Sequence, residues 1–225
     1  MDPIFEKNRQ IYNDFYRKFM QTKGKNSFVK IYHRRLEKNL EAKHFNLTLE
    51  LGAGKGEHFP FVQHSYEVYI QSDVLHEGDP VAEVVNGKVI RYEWTNAENL
   101  SAYGDASVDR IVTTCLLLHL EDLPKALREW KRVVKPGGQI DLLIMCEPGA
   151  LLRFAQKISS RRIFKKLNLN YDLWQYSEHR SYYLRARVLI AEIFSDYEVE
   201  DRFFPFPRIS WDLNLWNCIR ITSRV

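Results

Sequence analysis

Apolar residues in this chain come in short runs, and the runs switch between two periods. Segments 45–51 (FNLTLEL), 68–73 (VYIQSD), 108–114 (VDRIVTT) and 139–145 (QIDLLIM) are brief and rich in β-branched residues, as buried strands are. Segment 88–92 (KVIRY) predicts a further, very short strand. Over 123–134 the apolar residues fall at 123, 126, 127, 130, 133 and 134, which is helical spacing. Pro124 suits a first turn, and Lys135-Pro-Gly-Gly138 predicts the helix end. Segment 182–194 reads as another helix, and 197–204 and 215–222 read as strands joined by an aromatic, proline-bearing loop. Strand and helix alternating over short links imply a parallel sheet with helices on both faces. There is no internal repeat and no low-complexity linker.

The first strand stops abruptly in LELGAGKGEHF, residues 49–59. Gly52, Gly54 and Gly56 stand at alternate positions, and such a turn lets a ligand approach the backbone. Residues 57–63 predict a helix or a turn. In sheets of this kind ligands bind beyond the carboxyl ends of the strands, where this loop falls. Asp73 ends the second strand, 17 residues past Gly56, the place where a carboxylate accepts both hydroxyls of a ribose. The dinucleotide fingerprint needs glycine at 57, where Glu57 stands, and the phosphate-cradling G-x-x-x-x-G-K-[ST] is missing. Glu50 beside the loop would also repel phosphate and favour a positively charged ligand.

With these residues in view, ELGAGKG (50–56) resembles the first motif of the class I S-adenosylmethionine-dependent methyltransferases. Asp73 matches that family's acid after the second strand, and 96–138 (NAENLSAYGDASVDRIVTTCLLLHLEDLPKALREWKRVVKPGG) follows its pattern almost throughout. The likeness covers residues 45–146. It implies an α/β fold: a doubly wound, mostly parallel seven-stranded sheet of the Rossmann-like methyltransferase type, its final strand antiparallel. It also implies an N-terminal helical extension or lid (1–43), a cofactor-binding core (44–146), an acceptor-binding cap inserted after strand five (147–183), and a C-terminal helix and strand hairpin (184–225). The implied cofactor is S-adenosyl-L-methionine, held by Glu50, Gly52, Gly54, Gly56, Asp73, Asn96, Ala97 and Cys115. Asn96 stands where the family often has Asp, and its carbonyl oxygen still accepts a hydrogen bond. The implied reaction is in-line methyl transfer, which needs a base only if the acceptor loses a proton. His119 and His179 are the candidate catalytic bases, and His58 is placed to cap the pocket. Tyr12 and Tyr16, in the helically spaced IYNDFYRKFM, either pack on the sheet or close over the cofactor.

Charge extends this picture to the acceptor. The 225 residues carry net +4, but residues 1–43 hold +6 and 151–187 hold +7, leaving −9 for the rest. A basic, aromatic cap predicts an anionic acceptor, bound by Arg161, Arg162, Arg180 and Tyr182 with Tyr12 and Tyr16. A sugar phosphate, a glycan intermediate or a small acidic metabolite would fit. The amphipathic basic stretch also leaves room for peripheral membrane contact. A pI near 8.8 raises RNA or another nucleic acid as an alternative acceptor. Against it, no N/D-P-P-[YFW] motif follows strand four, and no RNA-binding module is recognisable. A non-catalytic cofactor-binding module is the other alternative. Cys115, Cys146 and Cys218 are dispersed in apolar segments, reading as reduced thiols of a cytoplasmic protein without metal-ligand spacing. No run reaches membrane-helix length, no signal peptide is evident, and no obligate protein partner is expected.

Overall fold

The computed structural model describes residues 27–74 and 80–224, with side chains from Lys30 onward. Their elements run in this order: α1 (Ser27–Leu36), β1 (His44–Leu51), β2 (Ser65–Ser72), β3 (Val81–Val85), β4 (Lys88–Glu93), β5 (Val108–Thr114), α2 (Leu123–Val133) and β6 (Val134–Met145). Then follow α3 (Ala150–Ile158), α4 (Ser160–Lys166), α5 (Tyr171–Glu178), α6 (Tyr183–Ile193), β7 (Glu198–Phe204) and β8 (Trp216–Thr222). Single 3₁₀ turns lie at Phe59–Phe61 and Trp211–Leu213.

One sheet of order β3-β4-β2-β1-β5-β6-β8-β7 holds all the strands. β4, β2, β1, β5 and β6 are mutually parallel, and β8 runs antiparallel to both its neighbours. Leu49 faces Ile70 on one side and Ile111 on the other, so the strands ending at Leu51 and Thr114 are neighbours as expected. The order reverses between β1 and β5, and ligands bind beyond the carboxyl ends at that point.

The sheet has eight strands, not seven. β3 is the addition, an antiparallel edge strand joined to β4 by Asn86-Gly87 with φ of +54° and +79°. Two positive φ values in a two-residue turn match the twist of a hairpin. Helices were expected on both faces between successive strands, and here too the structure differs. Between β1 and β2 there is only the 3₁₀ turn, and β4 passes to β5 without a helix.

Two unlike faces result. On the first, α2 buries Leu123, Ala126, Leu127, Trp130 and Val133, one stripe at the predicted spacing, against Ile111, Ile140 and Leu142 of the sheet. Asp122 caps that helix by accepting the Lys125 N–H at 3.0 Å. On the second face α1 covers strands that carry charge. Glu37, just past its end, accepts Arg110 Nη2 at 2.7 Å, His58 Nε2 at 2.9 Å, the Gln63 N–H at 3.1 Å and His64 Nδ1 at 3.2 Å. Arg110 continues to Asp141 at 2.8 Å, and Asp141 accepts Arg220 Nε at 2.8 Å. Burial alone would raise the Glu37 carboxyl, but Arg110 and the two histidines hold it well below the carboxylate range. His33, 3.0 Å from His58, is pushed down to about 3 by burial and then by His58.

Candidate active site

β1 ends at Leu51 and the backbone turns through Gly52, Gly54 and Gly56 at φ of +67°, +58° and +77°. A Cβ on Gly56 would lie 2.2 Å from the Gln71 side-chain oxygen, and one on Gly52 would lie 3.0 Å from Leu116. The loop therefore lies flat against the end of β2 and the turn after β5. Asp73 Oδ2 accepts the Gly54 N–H at 2.8 Å, and Glu57 Oε2 accepts the Lys55 N–H at 2.9 Å. Two carboxylates thus occupy the loop's amides, an arrangement that repels phosphate and suits hydroxyls and an ammonium group. Along the same rim, Asn96 Oδ1 accepts the Glu98 N–H at 2.9 Å, and buried Trp130 donates to the Ala97 carbonyl at 2.9 Å. Cys115 sits at the end of β5 with φ +58°, and desolvation pushes its thiol up to about 12.

The end of β6 builds a second feature. Glu147 is buried, and its Oε2 lies 2.5 Å from His179 Nδ1 at the end of α5. Because a carboxylate only accepts, His179 carries its proton on Nδ1 and leaves Nε2 as the basic nitrogen. Trp174 packs edge-on to that ring at 5.6 Å, and His119 does the same at 5.0 Å. His119 Nδ1 donates to the Glu178 carbonyl at 3.0 Å; desolvation and then the nearby His179 push this ring down to about 4. A cleft of about 510 Å³ opens over the pair, walled by Glu147, His179, Asp172, Tyr176, Tyr182 and Trp211 among others.

Residues 49–141 match the methyltransferase domain family. This part of the chain is a methyltransferase domain, similar to those of the class I S-adenosylmethionine-dependent enzymes. The fold of a SAM-dependent methyltransferase from Archaeoglobus fulgidus superposes with a TM-score of 0.59 at 12% identity, over 93% of this chain and 99% of that one. A Methanosarcina mazei SAM-dependent methyltransferase gives 0.53 at 16% identity, over 83% and 96%. The CurJ carbon methyltransferase gives 0.52 at 14% identity, over 89% of this chain and 56% of that one. At such identities the likeness is one of fold. No curated protein sequence matches the chain.

The methyltransferase's cofactor is S-adenosylmethionine, which supplies a methyl group already activated on a sulfonium. Its chemistry fits the rim: it carries no phosphate, Asp73 would meet the ribose, and Asn96 and Ala97 would meet the adenine. Gly52, Gly54, Gly56 and Cys115 share that rim with them. Glu50 does not. It is 1% exposed on the face beneath α1, where Tyr69 donates to it at 2.8 Å and burial pushes its carboxyl up to about 7. His58 is buried in the network under α1 instead of capping the pocket. Of the expected acceptor residues, Tyr182 walls the cleft. Arg161 is held by Asp172 at 2.9 Å, and Arg162 and Arg180 are absent from the lining. Tyr12 and Tyr16 lie outside the described residues.

The sequence reading missed Glu57 and Glu147. Both had a signal, since an acid directly after a strand or loop at the carboxyl edge of such a sheet faces the site. Among the described residues no group of three or more His, Cys, Asp or Glu is placed to hold a metal, and no helix is long and apolar enough to cross a membrane.

Proposed function

We propose that this methyltransferase transfers its methyl group to a hydroxyl of a small acceptor seated in the cleft between β6 and α5. The observation that carries this is the His179–Glu147 contact. A buried carboxylate fixes the imidazole tautomer, so Nε2 can take the hydroxyl proton as the oxygen attacks. Glu147 acts through His179 as a positioning residue. His119 is not part of the cleft lining; it packs against His179 and restricts the ring.

The cleft contains two acids, Glu147 and Asp172, and neither lysine nor arginine lines it. The reacting end of the acceptor is therefore uncharged. Arg161 and Lys165 line a shallow hollow on the far side of Asp172, which the two recesses share. An acceptor bearing phosphate or carboxylate at its other end would place that group there. A phosphorylated or acidic glycan intermediate with a free hydroxyl meets both demands.

Labelled S-adenosylmethionine should be incubated with sugar phosphates, acidic glycans and phenols while S-adenosylhomocysteine is followed. With the acceptor so found, His179→Ala should lower kcat about 10²–10⁴-fold. Glu147→Gln should lower it less, with acceptor KM and cofactor affinity unchanged in both. Wild-type turnover by His179→Ala, or transfer confined to amine or thiol acceptors, would end this reading.

A further inference from the structure

We propose that the outer face of α3 and α4 docks on a bilayer containing anionic lipid. From Pro148 to Tyr171 there are six lysines and arginines and no acid. Arg161 is tied to Asp172, while Arg153, Lys157, Arg162, Lys165 and Lys166 form no ion pair among the described residues. The charge is spaced with apolar surface. On α3 the exposed residues are Arg153 and Lys157 on one flank, and Phe154 (60% exposed) and Ile158 (48%) on the other. Each pair is four residues apart, so each forms its own row along one open face. Leu152 is turned inward on the opposite side. At the end of α4, Leu167 is exposed next to Lys165 and Lys166.

A hollow of about 470 Å³ lies on this face, walled by Ala150, Arg153, Phe154, Lys157 and Arg161. Three cations around one ring fit a phosphodiester headgroup with an acyl chain against the ring. Cations beside inserted aromatic and aliphatic side chains are what an interfacial helix needs. Neither Ile158 nor Leu167 can stack on a base, so nucleic acid could engage Phe154 alone and would leave the rest of the apolar surface uncovered. A soluble acidic ligand would leave it in water. The inference does not depend on which acceptor the cleft takes.

Sucrose-loaded vesicles of phosphatidylcholine, with and without phosphatidylglycerol, should be sedimented with the full chain. Binding is expected only with phosphatidylglycerol, and it should fall as salt rises. Replacing both cations (Arg153→Glu, Lys157→Glu) should lower partitioning at least about tenfold. The charge-preserving pair Phe154→Ser and Ile158→Ser should lower it by about tenfold as well. Cofactor affinity should be unchanged in both variants, which shows that they fold. Failure of the wild type to sediment with anionic vesicles would overturn the proposal. So would wild-type binding by the Phe154/Ile158 variant, which would mark the face as a general polyanion surface. Either failure leaves the His179 assignment standing, because that assignment is read from turnover.

Discussion

Glu50 shows how little room a single carboxyl has under α1. The buried group holds its proton more tightly when folded, to about 7, than when unfolded, near 4.5. Its contribution to stability is therefore complete at low pH and is lost as pH rises through 7. His33 works the other way: its folded value of about 3 lies below 6.5, so its stabilising effect is present above 6.5 and lost as pH falls toward 3. Above 6.5 the Glu50 slope is exposed. Glu50→Gln should flatten it and raise the unfolding free energy by about 1–3 kcal/mol near pH 8. Urea titrations at several pH values measure this, and an equal slope in both proteins would contradict the burial argument.

At the level of elements, α1 stands in for a helix that the glycine loop lacks. The crossover from Gly52 to His64 has one 3₁₀ turn and is held by Glu37 through residues 58, 63 and 64. Glu37→Leu should cost about 3–5 kcal/mol, because it leaves Arg110 with Asp141 alone and takes the acceptor from His58, His64 and the Gln63 N–H, and adding Arg110→Met should restore part of the loss. Denaturant midpoints of the single and double variants test this; additive losses would show that the network is not coupled. None of it was legible along the chain. His33, Glu37, His58 and His64 have the look of surface residues, and Arg110 that of the solvent side of a strand, until α1 closes over them. The strand at 108–114 was legible as a short run buried almost throughout, and the helix at 123–134 by its single buried stripe. β3 was not, since its five residues are all exposed and only Asn86-Gly87 announced it. The glycine loop was legible because positive φ and the close approach of Gln71 and Leu116 restrict its positions to glycine. The Glu147–His179 pair was not, because its members are 32 residues apart.

For the whole molecule, cofactor binding and folding are linked. S-adenosylhomocysteine at about 100 times its Kd should raise the unfolding free energy by about 2.7 kcal/mol. In a chain of 225 residues that is roughly 5–10 °C in Tm. Asp73→Ala should bind it roughly 1.5–3 kcal/mol more weakly and lose most of the shift at the same concentration. A wild-type shift in that variant would remove Asp73 from the cofactor site.

The route of the charge network also sets an order of events in time. Glu37 precedes the glycine loop, yet its partner Arg110 lies in β5, and Arg110's partner Asp141 lies in β6. Asp141 is completed by Arg220 of β8, which also donates to the Leu36 carbonyl at 3.2 Å. During synthesis the ribosome releases the loop long before the residues that steady it. A nascent chain that has emerged only through β5 holds the glycine loop and Asp73, but Asp141 and Arg220, which complete the support behind the loop, are still missing. The support behind the loop is thus closed only when β8 lies between β6 and β7.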